Sequence, residues 1–137
     1  MRKKIDCGQF LAELFKSKWD KLFISETSTG RSLNYKYFLS AIISTSDNLT
    51  SLGLKKGDKL CLILDNSLST VILYFAALLK GIIIAPIDPL RGSNEISEML
   101  KILHPKAIIA EERFMYLEPR IFSPKSIISN GFKNDID

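Results

Sequence analysis

Apolar residues at helix and strand spacing divide the chain into short elements. Near the N-terminus, a helix is predicted over residues 8–18, with four apolar residues on one face: Phe10, Leu11, Leu14 and Phe15. Residues 22–26 predict a strand, and a second strand returns over residues 31–35 after the turn-forming stretch 27–30. The pattern therefore predicts an N-terminal helix followed by a β-hairpin.

A longer apolar stripe, at three- and four-residue spacing from Tyr35 to Leu52, predicts an amphipathic helix. Asn34 precedes it as a suitable N-cap, and Gly53 follows where a glycine commonly ends a helix. Residues 59–64, KLCLIL, are continuously apolar after Lys59, which is typical of a strand buried on both faces of a parallel sheet.

Two more helices are predicted to alternate with two more buried strands, at 82–86 and 107–110. The helices end near Gly81 and at His104-Pro105. The candidate N-caps are Asn66 or Ser67 for the first helix and Ser93 or Asn94 for the second. The order over residues 59–110 is β-α-β-α-β, which predicts a three-layer α/β fold with a parallel sheet and right-handed crossovers.

We expect residues 1–112 to form this α/β subdomain. Over residues 113–137 the pattern weakens, and we expect one helical turn near Arg113, a short strand at 126–129 and a polar tail.

Residues 68–87 imitate a membrane span because they are mostly apolar and of the required length. Lys80 and Gly81 interrupt the segment, Pro86 lies near its end, and the periodicity changes from helix to strand within it. We therefore predict no transmembrane segment.

The composition is that of an ordinary soluble domain, with 46% apolar and 25% charged residues. The net charge of +4 comes from basic residues that are scattered, with short pairs only at Lys3-Lys4 and Lys55-Lys56. A mildly basic surface is the favoured interpretation, and a patch for nucleic acid or an anionic membrane is the alternative. Because no aromatic residues interleave with the basic ones, we expect no nucleic-acid partner.

The two cysteines, Cys7 and Cys61, lack metal or redox spacing. Cys61 lies in an apolar run and is expected to be a buried, reduced thiol. Since no apolar stretch follows the basic N-terminal residues, no signal peptide is predicted, and a cytoplasmic location is expected.

Nucleotide-binding fingerprints are missing where the fold would place them. The segment after the first buried strand, residues 64–70, contains no glycine, and no Walker spacing occurs. The hydroxyl-rich stretch 25–33 resembles a phosphate cradle, but it has a single glycine, Gly30, and no lysine follows. A hairpin turn is the favoured interpretation of that stretch.

No residue set predicts catalysis or metal binding. His104 is the only histidine, and its position at a helix end favours a capping or surface role. Five acidic residues lie mostly at strand ends: Asp58, Asp65, Asp88, Glu111 and Glu112. Solvated loop residues are the favoured interpretation of these acids. The alternative is a ligand crevice, since open α/β sheets bind ligands at the carboxyl ends of strands.

Four motifs in order resemble the start of the acyl-activating, AMP-binding superfamily. They are LNYKYF (33–38), GLKKGD (53–58), Asn66-Ser67 and AALLKGIIIAPIDP (76–89), and residues 95–112 resemble the helix and strand that follow. The resemblance covers about residues 20–112. Phe38 replaces the usual leucine, Leu79 stands where the family often has lysine, and Lys80 where it often has alanine.

The resemblance implies an ATP- and Mg²⁺-dependent ligase that converts a carboxylic acid, such as a fatty acid or an amino acid, into an acyl adenylate. The acyl group then passes to a thiol, either CoA or a carrier phosphopantetheine. In the family, the catalytic loop ending in Pro-Lys, the adenine- and ribose-binding segments and the C-terminal lysine all lie downstream of these motifs.

We therefore expect an inactive N-terminal fragment with no catalytic or metal residue of its own, and its cofactor-binding residues are unknown. Its expected partners are the missing remainder of the enzyme and, through exposed apolar surface, further copies of itself. Two alternatives stay open: a stand-alone α/β interaction or regulatory module without catalysis, and an unrelated small nucleotide-binding domain.

Overall fold

In the computed structural model, the described residues are 4 and 6–128. The helices are α1 (Cys7–Lys16), α2 (Tyr35–Ser51), α3 (Leu68–Leu79), α4 (Ser93–Leu103) and α5 (Pro124–Ile127), with a 3-10 helix at Glu112–Leu117. The strands are β1 (Leu22–Glu26), β2 (Arg31–Asn34), β3 (Lys59–Ile63), β4 (Ile83–Pro86), β5 (Ala107–Ala110) and β6 (Ile121–Phe122). The predicted helix–hairpin start and the β-α-β-α-β order are confirmed.

The described strands form an antiparallel β1–β2 hairpin and a parallel sheet with the order β4-β3-β5-β6. The connection through α3 runs from β3 outward to β4, and the connection through α4 runs back in the opposite direction from β4, past β3, to β5. Right-handed crossovers therefore put the two helices on opposite faces of the sheet. Leu60 and Leu62 of β3 pack in the core with α3, whereas Cys61 and Ile63 pack in the core with α4. The sheet is therefore the middle of three layers.

A third core joins α1 and the hairpin to α2 and α3. Phe38 of α2 is fully buried at its centre, with ring centroids 4.6 Å from Phe23 and 5.3 Å from Phe75. Leu11 and Phe15 of α1 are buried here too. Phe10 and Leu14, predicted on the same face as these residues, are half exposed.

Local capping explains where most helices begin. The Asn34 side chain accepts a hydrogen bond from the Tyr37 N–H at 2.8 Å, as predicted for α2. Ser67, rather than Asn66, caps α3 by accepting from the Thr70 N–H at 3.2 Å. The predicted cap of α4 is wrong. Gly92 has the extended backbone of an N-cap, so Ser93 and Asn94 already lie inside the helix.

The prediction of a strand at 126–129 is wrong for the part that the structure describes. Residues 124–127 form the helix α5 instead. Pro124 occupies the first helical turn, where its fixed φ favours a helix. The Asn48 Nδ2 atom of α2 donates to the Ile127 carbonyl at 2.6 Å and holds α5 against α2. β6, which is separated from α5 by one residue, supplies the short strand instead. Residue 129 and the expected polar tail lie outside the described residues.

The stretch 68–87 that imitates a membrane span is divided between α3 and β4. Among the described residues, no helix is long and apolar enough to cross a membrane.

Candidate functional site

The carboxyl ends of β3 and β4 border a cavity of about 410 Å³. Residues after β3 and in α3 form one wall, and the loop after β4 forms the other. Its lining residues are Leu62, Leu64, Asp65, Asn66, Thr70, Tyr74, Pro86, Ile87, Asp88, Pro89 and Leu90. This is the edge at which open α/β sheets bind ligands, and two of the family-like motifs, Asn66-Ser67 and residues 76–89, contribute to its walls.

A neighbouring cavity of about 430 Å³ lies between the ends of β3 and β5. At this point the connection after β3 and the connection after β5 run toward opposite ends of the sheet. Its lining residues are Leu64, Asp65, Ser67, Ser69, Glu111, Glu112, Ser123, Pro124 and Lys125. Asp65 borders both cavities, so the two form one candidate site along the carboxyl edge of the sheet.

Asp65 and Glu111 are the most strongly interacting acidic residues of this site. The Asp65 backbone N–H donates to Glu111 Oε1 at 3.3 Å, and Arg113 Nε donates to Glu111 Oε2 at 2.7 Å. A side-chain hydrogen bond to Glu111 and the charge of Glu111 raise the pKa of Asp65. Desolvation acts to raise the pKa of Glu111, but hydrogen bonds from Asp65 and Arg113 prevail and lower it. The interaction therefore separates the two pKa values, with that of Asp65 shifted upward and that of Glu111 shifted downward.

The other predicted acids separate into two groups. Asp88 and Glu112 line the cavities at this same edge. Asp58 lies at the opposite edge, before β3, where its Oδ2 atom accepts from the Lys55 N–H at 2.8 Å. The ligand-crevice alternative therefore applies to the acids that follow strands, and Asp58 has a local structural role.

The hydroxyl-rich stretch 25–33 forms the hairpin turn, with Gly30 at a φ of 73°. Glu26, at the end of β1, reaches the start of α3, where its Oε2 atom accepts from the Leu68 N–H at 2.7 Å. Because a carboxylate occupies this helix N-terminus, the position is unfavourable for a phosphate. Sequence reasoning missed this role of Glu26, since the two residues are far apart in the chain.

The described residues do not fit Mg²⁺-ATP. Within them, no group of three or more His, Cys, Asp or Glu side chains could hold a metal ion. Lys125 borders the second cavity, but the residues before Pro124-Lys125 are Ile121-Phe122-Ser123, not a loop rich in Ser, Thr and Gly. The acidic pair at the site would also repel a triphosphate.

The two remaining candidates, His104 and Cys61, do not line either cavity of the candidate site. His104 ends α4 in the left-handed region, with a φ of 47° and its N–H bonded to the Leu100 carbonyl. Cys61 is fully buried between β3 and α4, and burial raises its pKa to about 12. Its thiol is therefore protonated and unreactive at neutral pH.

Comparison with known proteins places the chain in a family. The family described as "AMP-binding enzyme" matches residues 13–130. The peroxisomal OPC-8:0-CoA ligase 1 of Arabidopsis thaliana is 31% identical over 80 residues, which are 58% of this chain and 15% of that protein. The mitochondrial medium-chain acyl-CoA ligase ACSF2 of Mus musculus is 29% identical over 82 residues, or 60% of this chain and 13% of that protein. The chain thus spans about 15% of the length of these curated relatives.

Solved structures agree on the fold. The N-terminal subdomain of Klebsiella oxytoca NpsA, in complex with 3-hydroxyanthranilyl-AMSN, superposes with a TM-score of 0.78 at 17% identity. The match covers 90% of this chain and 32% of that one. The Mycobacterium tuberculosis fatty acyl CoA synthetase gives a TM-score of 0.74 at 24% identity, over 82% of this chain and 22% of that one. The chain therefore belongs to the AMP-binding enzyme family, and its fold is that of the N-terminal subdomain of adenylate-forming enzymes.

Proposed function

We propose that this chain is the N-terminal part of an ATP- and Mg²⁺-dependent ligase that activates a carboxylic acid as its acyl adenylate and then transfers the acyl group to a thiol. The observation that carries the proposal is the family match over residues 13–130. The matched region includes the α/β core and both cavities at the carboxyl edge of the sheet. The similarity to proteins named as CoA ligases favours CoA over a carrier phosphopantetheine as the thiol.

We further propose that the chain alone does not form acyl adenylates. The support is chemical: the site is lined by carboxylates, Glu26 occupies the N-terminus of α3, and no metal cluster occurs in the described residues. In this proposal the remainder of the ligase supplies the groups that bind Mg²⁺-ATP. This chain supplies a rigid scaffold and the walls of the cavity beside β3 and β4.

The remainder of the ligase is also the proposed partner of an apolar groove of about 340 Å³ between α3 and β4. Tyr74, Phe75, Leu78, Ile82 and Ile84 line it, and Leu78 is 52% exposed. β4 is the outer strand of the described sheet, so an unpaired backbone edge lies beside the groove. In the isolated chain we expect this surface to drive concentration-dependent self-association, which Leu78→Ser should weaken in sedimentation velocity experiments.

ATP–pyrophosphate exchange tests the catalytic part of the proposal. The chain is incubated with Mg²⁺-ATP, labelled pyrophosphate and a panel of fatty, aromatic and amino acids, beside a full-length acyl-CoA ligase as positive control. We expect background exchange from this chain with every acid. Exchange that depends on both the acid and the chain would contradict the proposed inactivity.

The coding sequence beyond Asp137 tests the proposed partner. A continuing frame with a Ser/Thr/Gly-rich loop ending in Pro-Lys would support the ligase. An immediate stop codon would favour the stand-alone interaction module. A cytoplasmic location stays a proposal, supported by the free cysteines Cys7 and Cys61.

A further inference from the structure

The amino edge of the parallel sheet, opposite the candidate site, gathers basic side chains that are scattered in the sequence. The loops before the strands, with the first residue of β3, bring six exposed basic residues there: Lys55, Lys56, Lys59, Lys80, Lys106 and Arg120. We call this surface the basic edge.

Backbone hydrogen bonds hold the loops of the basic edge side by side. The Gly57 N–H donates to the Gly81 carbonyl at 2.9 Å, and the Lys106 N–H donates to the Lys59 carbonyl at 2.8 Å. Arg120 Nη1 donates to the Pro105 carbonyl at 2.9 Å, which joins the loop before β6 to the loop before β5. The basic residues therefore occupy one fixed surface.

Acidic residues balance only part of this charge. Asp47 pairs with Lys80 at 3.4 Å, Glu118 pairs with Arg120, and Asp58 accepts from the Lys55 backbone. Six basic residues thus face three acidic ones. Among the described residues, the side chains of Lys55, Lys56 and Lys106 have no ion-pair partner.

Two exposed isoleucines flank the basic edge on the α4 side of the sheet. Ile83 is 50% exposed and is the register partner of Lys59 in the β3–β4 pair. Ile102 is 79% exposed and precedes Leu103, whose carbonyl accepts from Lys59 Nζ at 3.3 Å. Lysines beside exposed aliphatic side chains are the combination that favours an anionic lipid surface.

We propose that the basic edge binds the anionic headgroup surface of a membrane, with Ile83 and Ile102 contacting the apolar boundary beneath the headgroups. Five of the six basic residues are lysines, which attract an anionic surface without the paired geometry by which arginine recognises single phosphates. Nucleic acid is disfavoured because the exposed isoleucines would face phosphates. In this orientation the candidate site, at the opposite edge, points away from the membrane. The inference does not depend on the proposed catalysis.

Vesicle cosedimentation of the whole chain tests the proposal. The probes are vesicles of phosphatidylcholine alone and of phosphatidylcholine mixed with phosphatidylglycerol. We expect binding only to the anionic vesicles, and we expect added salt to weaken it because screening reduces the attraction. Binding to both vesicle types equally, or to neither, would overturn the proposal.

Charge variants place the binding on the basic edge. The variant Lys55→Gln/Lys56→Gln/Lys106→Gln should bind anionic vesicles at least about tenfold more weakly, since each lysine near such a surface contributes measurably. The matched control, Lys16→Gln/Lys18→Gln/Lys36→Gln, removes the same charge from α1, the loop after it and the first turn of α2. It should bind clearly more tightly than the first variant. Equal losses would attribute binding to net charge and overturn the proposed surface.

Replacing an exposed apolar residue distinguishes binding to a membrane from binding to a polyanion such as DNA. Ile102→Ser should reduce vesicle binding, whereas Leu14→Ser, which removes a half-exposed residue of α1, should not. Double-stranded DNA serves as the competing probe. Tighter binding to DNA than to anionic vesicles, unchanged in Ile102→Ser, would contradict the lipid assignment. Far-ultraviolet circular dichroism verifies that every variant is folded.

Discussion

The carboxylate of Glu26, in the hairpin, accepts a hydrogen bond of 2.7 Å from the backbone N–H of Leu68, the first residue of α3. Thr29 donates a second bond to the same carboxylate at 2.7 Å. The hairpin is thereby fixed to the start of the helix that borders the candidate site. A negative charge at this end of a helix is also favourable for the helix dipole.

Glu26→Gln should lower the free energy of unfolding at neutral pH by about 0.5–1 kcal/mol, because the charged acceptor at the helix N-terminus is lost. The Leu68 N–H bond, followed by the Thr29 bond, lowers the pKa of Glu26 below its ordinary value of 4.5. A carboxyl group whose pKa is lower in the folded state than in the unfolded state stabilises the fold at any pH above the unfolded-state pKa. That contribution is lost as the pH falls through the folded-state pKa. The difference between the two proteins should therefore disappear in acid. Urea titrations across pH measure it, with Glu13→Gln on α1 as control, and a difference that persists unchanged in acid would contradict the charge-based reason.

Asp65 and Glu111 should titrate at separated pH values. Because Glu111 raises the pKa of Asp65, the Asp65 carboxyl should titrate above its ordinary value of 3.8 in carbon-detected NMR. Glu111→Gln should return the Asp65 pKa toward that value, since the charged neighbour is removed. Glu98→Gln, which alters an exposed acid of α4, should leave it unchanged. An Asp65 pKa that does not respond to Glu111→Gln would refute the pairing.

Thr45→Val should stabilise the protein by about 1 kcal/mol. Thr45 is fully buried in α2, and its Oγ1 atom has no hydrogen-bond partner among the described residues. Valine keeps the shape and removes the unsatisfied hydroxyl. Ser46→Ala is the matched control, because the Ser46 hydroxyl donates to the Ile43 carbonyl at 2.7 Å. Thermal or urea unfolding should show a gain only for Thr45→Val, and a loss in that variant would indicate that the hydroxyl is satisfied.

Phe38→Ala should destabilise the chain by about 3–5 kcal/mol, the usual cost of deleting a buried aromatic ring. Phe38→Leu, which restores the residue common in the family, should cost less but should not be neutral. The reason is that the Phe38 ring packs against Phe15, Phe23 and Phe75. Urea denaturation measures both variants. A neutral Phe38→Leu would show that the aromatic cluster adds nothing beyond its volume.

The elements with strong local signals were predictable from the sequence. β5 and all of β3 after Lys59 are continuous apolar runs, and Asn34 caps α2 through a residue only three positions away. The start of α4 was mispredicted because Gly92 caps it by backbone conformation, without a side-chain bond. The strand predicted at 126–129 failed because the segment is short and its helix depends on a tertiary contact with Asn48.

The candidate site was predictable only in outline. The rule that ligands bind at the carboxyl ends of strands offered five acids as an alternative to solvated loop residues. Parallel pairing brings Asp65, Asp88, Glu111 and Glu112 to one edge, whereas Asp58 lies at the other. The Glu26–Leu68 bond and the basic edge were not predictable, because both join residues that lie far apart in the sequence. Only the strand order shows which loops are neighbours.

Isothermal titration calorimetry with Mg²⁺-ATP, and with a non-hydrolysable acyl sulfamoyl adenosine, tests most directly whether this chain is a scaffold without its own nucleotide site. We predict no saturable heat with either ligand and, in parallel, no ligand-dependent rise in melting temperature. A full-length acyl-CoA ligase serves as the positive control. Saturable binding of either ligand to this chain at one site would contradict the central claim.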